Sequence, residues 1–265
     1  MHYSAIIPTH NRYRLLKRAL ESIYSQTLPP TEVIVVDDGS SDKTKKIVND
    51  FGDILYMYQE NSGVSSARNK GLKYAKSEFV AFLDDDDTWH KEKMAQQMEF
   101  LKHNPQFLWC YSDEKWVRDN KEVTVPKKYH KPKHNTFLEH IAFCNIAPSS
   151  VVIHKKIFDE IGCFDERLKV CEDYDLWLRI LQHYPAGLVE KKLITKYAQE
   201  TNQLGFCKNI ESFRVLALEK HLKSKYHKEV KEVLIQKYTR LYQGALKRGL
   251  YSAKKYHKRL LALRN

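Results

Sequence analysis

The sequence predicts an α/β fold: a mostly parallel sheet flanked by helices, followed by a helical, basic C-terminal extension. Three observations carry this reading. Four short apolar blocks in the first hundred residues each end in polar punctuation. Amphipathic helical patterns lie between them, which is the strand-helix-strand order of a parallel, doubly covered sheet. The charge excess is confined to the end of the chain: of 45 Lys+Arg and 33 Asp+Glu, residues 206–265 hold 16 and 4, so residues 1–205 hold 29 of each.

Taken in order, strands are predicted at Tyr3-Ile7, Val33-Val36, Ile54-Tyr58 and Phe79-Leu83, each rich in β-branched or aromatic residues. The first helix sets Leu15, Leu16, Ala19, Leu20, Ile23 and Tyr24 on one stripe and stops near Pro29-Pro30. A second begins after Ser40-Ser41-Asp42, whose side chains can cap free N–H groups, and a third runs from Ser65 to Ala75. A hairpin is expected at Asp119-Asn120-Lys121, then a polar loop from Pro126 to Asn135. Beyond Phe206 the pattern gives two or three amphipathic helices with breaks near Ser224-Lys225 and Arg248-Gly249. The division expected is a body of 1–205, with halves 1–105 and 106–205, and an extension of 206–265.

At 265 residues the chain can bury a sizeable core. The five cysteines, Cys110, Cys144, Cys163, Cys171 and Cys207, form no C-x-x-C pair, which argues against a disulfide framework or zinc knuckle. No stretch reaches the roughly 18 to 20 apolar residues of a membrane-spanning helix, and Tyr3-Ile7 begins without a signal-peptide pattern. These features lead us to expect a cytoplasmic protein, peripheral on the inner face of the cell membrane if the basic 206–265 extension meets anionic lipid. No nucleic-acid module is recognisable in that extension, so no nucleic-acid partner is expected.

The densest chemistry is the run Asp84-Asp85-Asp86-Asp87, placed directly after Phe79-Leu83. Carboxylates this close repel one another unless they face water or hold a hard divalent cation. A solvated acidic turn is the competing reading. Open sheets collect ligands at the carboxyl ends of their strands, and a second acidic loop, Asp37-Asp38-Gly39-Ser40, ends the second strand. The two loops should therefore share one sheet edge.

Six segments together resemble the inverting nucleotide-sugar glycosyltransferases of family 2, which have the Rossmann-like GT-A fold. They are Ile6-Ile7-Pro8-Thr9-His10-Asn11-Arg12, Glu32 to Ser40, Gly63 to Gly71, the Asp84-Asp87 run with Trp89, Gly162 to Glu166, and Glu172-Asp173-Tyr174-Asp175-Leu176-Trp177. The resemblance covers roughly residues 3 to 180 and leaves the basic extension outside.

What it implies is a metal-dependent transfer of a sugar from a nucleoside-diphosphate sugar, UDP favoured, to a hydroxyl of a glycan or lipid-linked acceptor in surface polysaccharide synthesis. Asp84 and Asp86 fit the family's DxD pattern. Asp86 would ligate Mn²⁺ or Mg²⁺, with Asp84 and Asp85 on the nucleotide side, although strand alternation turns Asp85 away. Pro8, Thr9, His10, Asn11 and Arg12 would line the nucleotide, Asp38 would accept from the base, and Asp37 would hold the loop. Arg68 is the expected diphosphate ligand, with a surface salt bridge as its alternative. Asp87 either joins the metal shell or, favoured by position, caps a following helix. Asp173 is the expected general base and Glu172 its competitor. Glu200 stands where many relatives carry a metal-binding histidine. The alternatives from other classes are a non-catalytic sugar-nucleotide or glycan-binding scaffold and a sugar nucleotidyltransferase.

Overall fold

In the computed structural model, which describes residues 1–132, 134–197 and 209–264, the four apolar blocks form β1 (Tyr3–Thr9), β2 (Glu32–Asp38), β3 (Ile54–Gln59) and β4 (Phe79–Phe82). Strand β1 is buried along its whole length, as a strand covered on both faces must be. Alternation sends Ile6, Ile34 and Val36 into one core and Ala5, Ile7, Val33 and Val35 into the other. Helices α1 (Tyr13–Tyr24) and α3 (Lys93–His103) cover the second core, while α2 (Val64–Tyr74) and α6 (Glu172–Leu181) cover the first. Gly71 lets α2 approach the sheet: a Cβ there would lie 2.5 Å from Ile6 Cγ2.

The other strands and α-helices up to residue 197 are β5 (Asp87–Trp89), β6 (Trp109–Arg118), β7 (Lys121–Val123), α4 (Phe137–His140), β8 (Val151–His154), α5 (Lys156–Ile161) and β9 (Gly187–Tyr197). One sheet runs β3-β2-β1-β4-β8-β6-β9-β5, with β7 on the flank of β6. Pairing is parallel across β3-β2-β1-β4. Strand β8 then enters antiparallel to β4 and β6, and β9 lies parallel to β6 and antiparallel to β5. The expected hairpin joins β6 to β7, with φ of 50° at Asp119 and 58° at Asn120, the left-handed pair of a tight primed turn.

Two local expectations need correction. The segment after Ser40-Ser41-Asp42 is a 3₁₀ stretch, Thr44–Asn49, rather than an α-helix. Asp42 does cap it, accepting from Thr44 N at 2.8 Å. But Lys43, Lys45 and Lys46 are exposed and supply no apolar stripe to prolong it. Asp87 caps no helix: it opens β5, because Thr88 and Trp89 pair with Thr195 and Ile194 of β9.

The extension contains α7 (Ile210–Glu219), α8 (His227–Lys247) and α9 (Ser252–Arg264). Its apolar stripes join the first core through Val215, Leu218, Val230, Leu234, Leu260 and Leu263. Tyr226 stacks on Phe137 at 4.4 Å between centroids, and Lys237 Nζ donates to Ala142 O at 2.8 Å. Glu200 lies outside the described residues.

Candidate active site

A cleft of about 470 Å³ opens at the carboxyl ends of β1 and β4. The aspartate run forms its floor. Strand β4 stops at Phe82, and Asp87 N donates to Asp84 O at 3.0 Å, closing a turn that hands the chain to β5. The hydroxyl of Ser149 pins this turn from beneath: it accepts from Asp84 N at 3.1 Å and donates to Asp87 Oδ2 at 2.7 Å.

The four carboxylates have different surroundings. Asp85 accepts from Arg12 Nη1 and Thr9 Oγ1, each at 2.8 Å. Burial pushes its pKa up to about 6, against the pull of Arg12. Asp87 is buried and faces Lys196, its register partner on β9; burial drives its carboxyl well above the usual range while Lys196 pulls it back. Asp84 and Asp86 reach the cleft, with side chains 25% and 12% exposed. Asp84 Oδ1 accepts from Arg68 Nη2 at 2.6 Å, and Asp86 Oδ2 from Arg12 Nη1 at 3.2 Å. Much of the counter-charge that the run requires thus comes from Arg12, Arg68 and Lys196.

At the opposite wall, Cys171 adopts a left-handed conformation, φ 65°, immediately before α6. Such a backbone costs a non-glycine residue about 1 kcal/mol, and here it aims Glu172 and Asp173 into the cleft. Glu172 is buried and accepts from Arg68 Nη1 at 2.6 Å. Burial and the neighbouring Asp173 raise its pKa to about 7, with Arg68 opposing. Asp173 is half-buried, and its Oδ1 accepts from Tyr174 N at 2.7 Å. Its Oδ2 accepts from the Cys144 thiol at 3.4 Å. Burial, reinforced by Asp173, holds that thiol well above its usual pKa, so it remains a donor.

The structure therefore gathers Pro8, Arg12, Arg68, Asp84, Asp85, Asp86 and Asp173 around one cleft. Thr9, His10, Asn11 and Asp38 fall outside its lining. Thr9 acts through Asp85. His10 Nδ1 lies 2.8 Å from Asp38 O, and Asn11 Oδ1 accepts from Ser41 N at 2.7 Å. The Asp38 carboxylate accepts from Gln59 Nε2, Ser62 N and Gly63 N, each at 2.8 Å, so it also holds the loop before α2. Asp37 holds its own loop as well, through Ser40 N at 2.8 Å. Nor is Arg68 in a surface salt bridge: it is 3% exposed, both terminal nitrogens are engaged, and its buried Nε has no partner.

Sequence reasoning missed Ser149, Cys144, Lys196 and Glu114. Glu114 binds Lys131 at 2.8 Å in a buried pair; burial alone would raise its pKa, but Lys131 and Lys196 bring it below the ordinary value. Only the coincidence of Asp87 with a distant lysine could have signalled Lys196.

Among the described residues, no three His, Cys, Asp or Glu side chains surround a common point. Asp84 and Asp86 nevertheless offer hard carboxylate oxygens on the cleft surface, the donor type that Mg²⁺ or Mn²⁺ takes when a ligand's phosphates and water complete its shell. The donor set fits such an ion.

The family model described as Glycosyl transferase family 2 matches residues 4–162, the stretch that builds β1 to α5 and the floor of the cleft. The chain belongs to that family. An uncharacterized glycosyltransferase of Rickettsia typhi is 35% identical over 188 residues, which are 68% of this chain and 58% of the relative. Over 183 residues, 68% of this chain and 69% of the relative, 32% identity links this family member to the Escherichia coli UDP-Glc:alpha-D-GlcNAc-diphosphoundecaprenol beta-1,3-glucosyltransferase WfgD. The crystal structure of S. aureus TarS 1-349 in complex with UDP-GlcNAc shares the fold, with a TM-score of 0.73 and 23% identity over 92% of this chain and 73% of that one.

Proposed function

We propose that this chain is an inverting glycosyltransferase that moves a sugar from a UDP-sugar to a hydroxyl of a glycan or lipid-linked acceptor in surface polysaccharide synthesis. The observation that carries the proposal is the division of labour across the cleft. Arg68 bridges Asp84 at 2.6 Å and Glu172 at 2.6 Å, which leaves Asp173 as the cleft-lining carboxylate of the α6 pair that Arg68 does not engage. An inverting displacement needs a cation-rich site for the leaving diphosphate and a base on the far side of the sugar. The Asp84–Asp87 turn with Arg12 and Lys196 suits the first need, and Asp173 suits the second. The names of WfgD and the UDP-GlcNAc complex of TarS support the choice of donor and of a lipid-diphosphate acceptor class.

In this reading Asp86 would hold Mn²⁺ or Mg²⁺, with Asp84 beside it on the nucleotide side, and the ion would supply Lewis-acid neutralisation of the departing charge. Pro8 and Arg12 flank the nucleotide. The Asp173 carboxylate takes the proton from the acceptor hydroxyl while Tyr174 N fixes its angle. Residues 1–205 act as the catalytic body, and the basic extension holds it at an anionic membrane surface. No helix among the described residues is long and apolar enough to cross a membrane.

The test is Asp173→Asn with UDP-sugar donors and Mn²⁺. Transfer should fall about 10²- to 10⁴-fold, the usual contribution of a general base, while UDP affinity measured by calorimetry stays within about threefold. Undiminished transfer would sink the assignment.

A further inference from the structure

The two most exposed large apolar side chains among the described residues lie five positions apart on one turn: Tyr251 at 87% and Leu246 at 59%. The turn itself is closed by backbone hydrogen bonds. Helix α8 ends with Gly249 in the left-handed region, φ 62°; Gly249 N donates to Leu246 O at 3.0 Å and Leu250 N to Ala245 O at 2.9 Å. This crossed pair of bonds ordinarily comes with an apolar residue folded back against the helix end. Here Leu250, the residue in that position, is 45% exposed.

Cations ring the apolar tip. Lys247, Arg248, Lys254 and Lys255 are all exposed, and Arg248 Nε braces the turn by donating to Gly244 O at 2.8 Å. No Asp or Glu occurs anywhere from residue 233 to the end of the chain. The buried stripes of α8 and α9 face the other way, into the core through Leu234, Tyr238, Leu260 and Leu263. A tip that is apolar at its centre and basic at its rim, with no acidic residue to pair with another protein's cations, matches the interfacial layer of an anionic bilayer: acyl chains for the leucines, headgroup level for the tyrosine, phosphates for the lysines.

We infer that the α8–α9 turn is the membrane-docking element of this chain, inserting Leu246, Leu250 and Tyr251 among anionic lipids while Lys247, Arg248, Lys254 and Lys255 bind their headgroups. The inference rests on the proposed function only for its purpose, which is to present the cleft to a lipid-linked acceptor. Docking through a packed hairpin would fix the height and tilt of the cleft over the membrane.

The experiment is cosedimentation of the full chain with vesicles of phosphatidylcholine alone or mixed with phosphatidylglycerol. Binding should be at least about tenfold stronger to the anionic vesicles and should collapse near 0.5 M NaCl, where the Debye length falls to about 4 Å. Leu250→Glu with Tyr251→Glu, and separately Lys254→Glu with Lys255→Glu, should each weaken it at least about tenfold. Lys45→Glu with Lys46→Glu, on the exposed 3₁₀ stretch, should leave it within about twofold. An unfolding midpoint close to that of the wild type in every variant shows that the fold survives. Equal binding to neutral vesicles, equal loss in the Lys45 and Lys46 control, or tip variants that disrupt self-association without affecting vesicle binding would overturn the inference. A wild-type chain that docks but fails to bind UDP would refute the proposed function and leave this inference standing.

Discussion

The two acidic walls of the cleft are built from the same residue type and behave differently. At the Asp84–Asp87 turn, carboxylates are interleaved with guanidinium and ammonium groups: Asp85 with Arg12, Asp84 with Arg68, Asp87 opposite Lys196. At the head of α6, Glu172 is locked to the same Arg68, whereas Asp173 has a backbone N–H and a thiol as its partners. A wall of compensated carboxylates is suited to hold a charged ligand in place. A carboxylate whose Oδ2 meets a weak thiol donor is suited to exchange that donor for another hydrogen-bonding group. The contrast shows that counting acidic residues says little; the partner of each decides its task.

Because Arg68 ties the walls together, Arg68→Met is the harshest way to break the comparison. It strands two carboxylates, one of them buried, so unfolding free energy should drop by about 3–5 kcal/mol. Denaturant titration at pH 7 checks this. A loss below about 1 kcal/mol would mean that the walls are held independently.

A second change asks what a buried cation does without such a wall. Lys93 is fully buried, with its Nζ 4.4 Å from the centroid of Trp89 and 3.5 Å from Met94 Sδ. Burial lowers its pKa to about 7. The unfolded chain therefore binds a proton that the folded chain releases between pH 7 and the ordinary lysine value, and wild-type stability should rise with pH across that window. Below pH 7 both states are protonated and the full penalty applies. Lys93→Met should accordingly stabilise the protein by about 2 kcal/mol or more at pH 6, a gain that shrinks as pH climbs to about 10. Thermal or denaturant unfolding at several pH values reads it directly, and a pH-independent difference would contradict the burial argument.

The mildest change sharpens the character of the α6 wall. In Cys144→Ser a stronger donor meets Asp173 Oδ2 and competes with the acceptor hydroxyl for it, so transfer kcat/KM should fall a few-fold while UDP affinity holds. Cys144→Ala, which removes the competing donor, should not show that loss. Equal kcat/KM for all three would show that the thiol does not touch the proposed base.

Strands β1 to β4 were legible because a strand covered on both faces is a short continuous apolar run, visible without knowledge of its partners. The hairpin at Asp119-Asn120 was legible for a local reason too, since those residues tolerate left-handed backbone. The strand position of Asp87 and the loop contacts of Asp38 were not. Strand β5 has three residues and exists only through pairing with β9, and Asp38 is engaged by Gln59, Ser62 and Gly63 from the next loop. The cleft residues Ser149, Cys144 and Lys196 likewise depend on long-range packing. Local pattern located both walls but could not say which carboxylate each cation would claim.

The pairing of β5 with β9 also sets a timetable. Asp87 leaves the ribosome more than a hundred residues ahead of Lys196, its register partner. At a synthesis rate of about 5–20 residues per second, the aspartate turn spends several seconds without its lysine and without the strand that fixes its shape. A nascent chain ending before β9 has the parallel half of the sheet but no finished cleft. A complete cleft is thus something that this protein acquires late in its own synthesis.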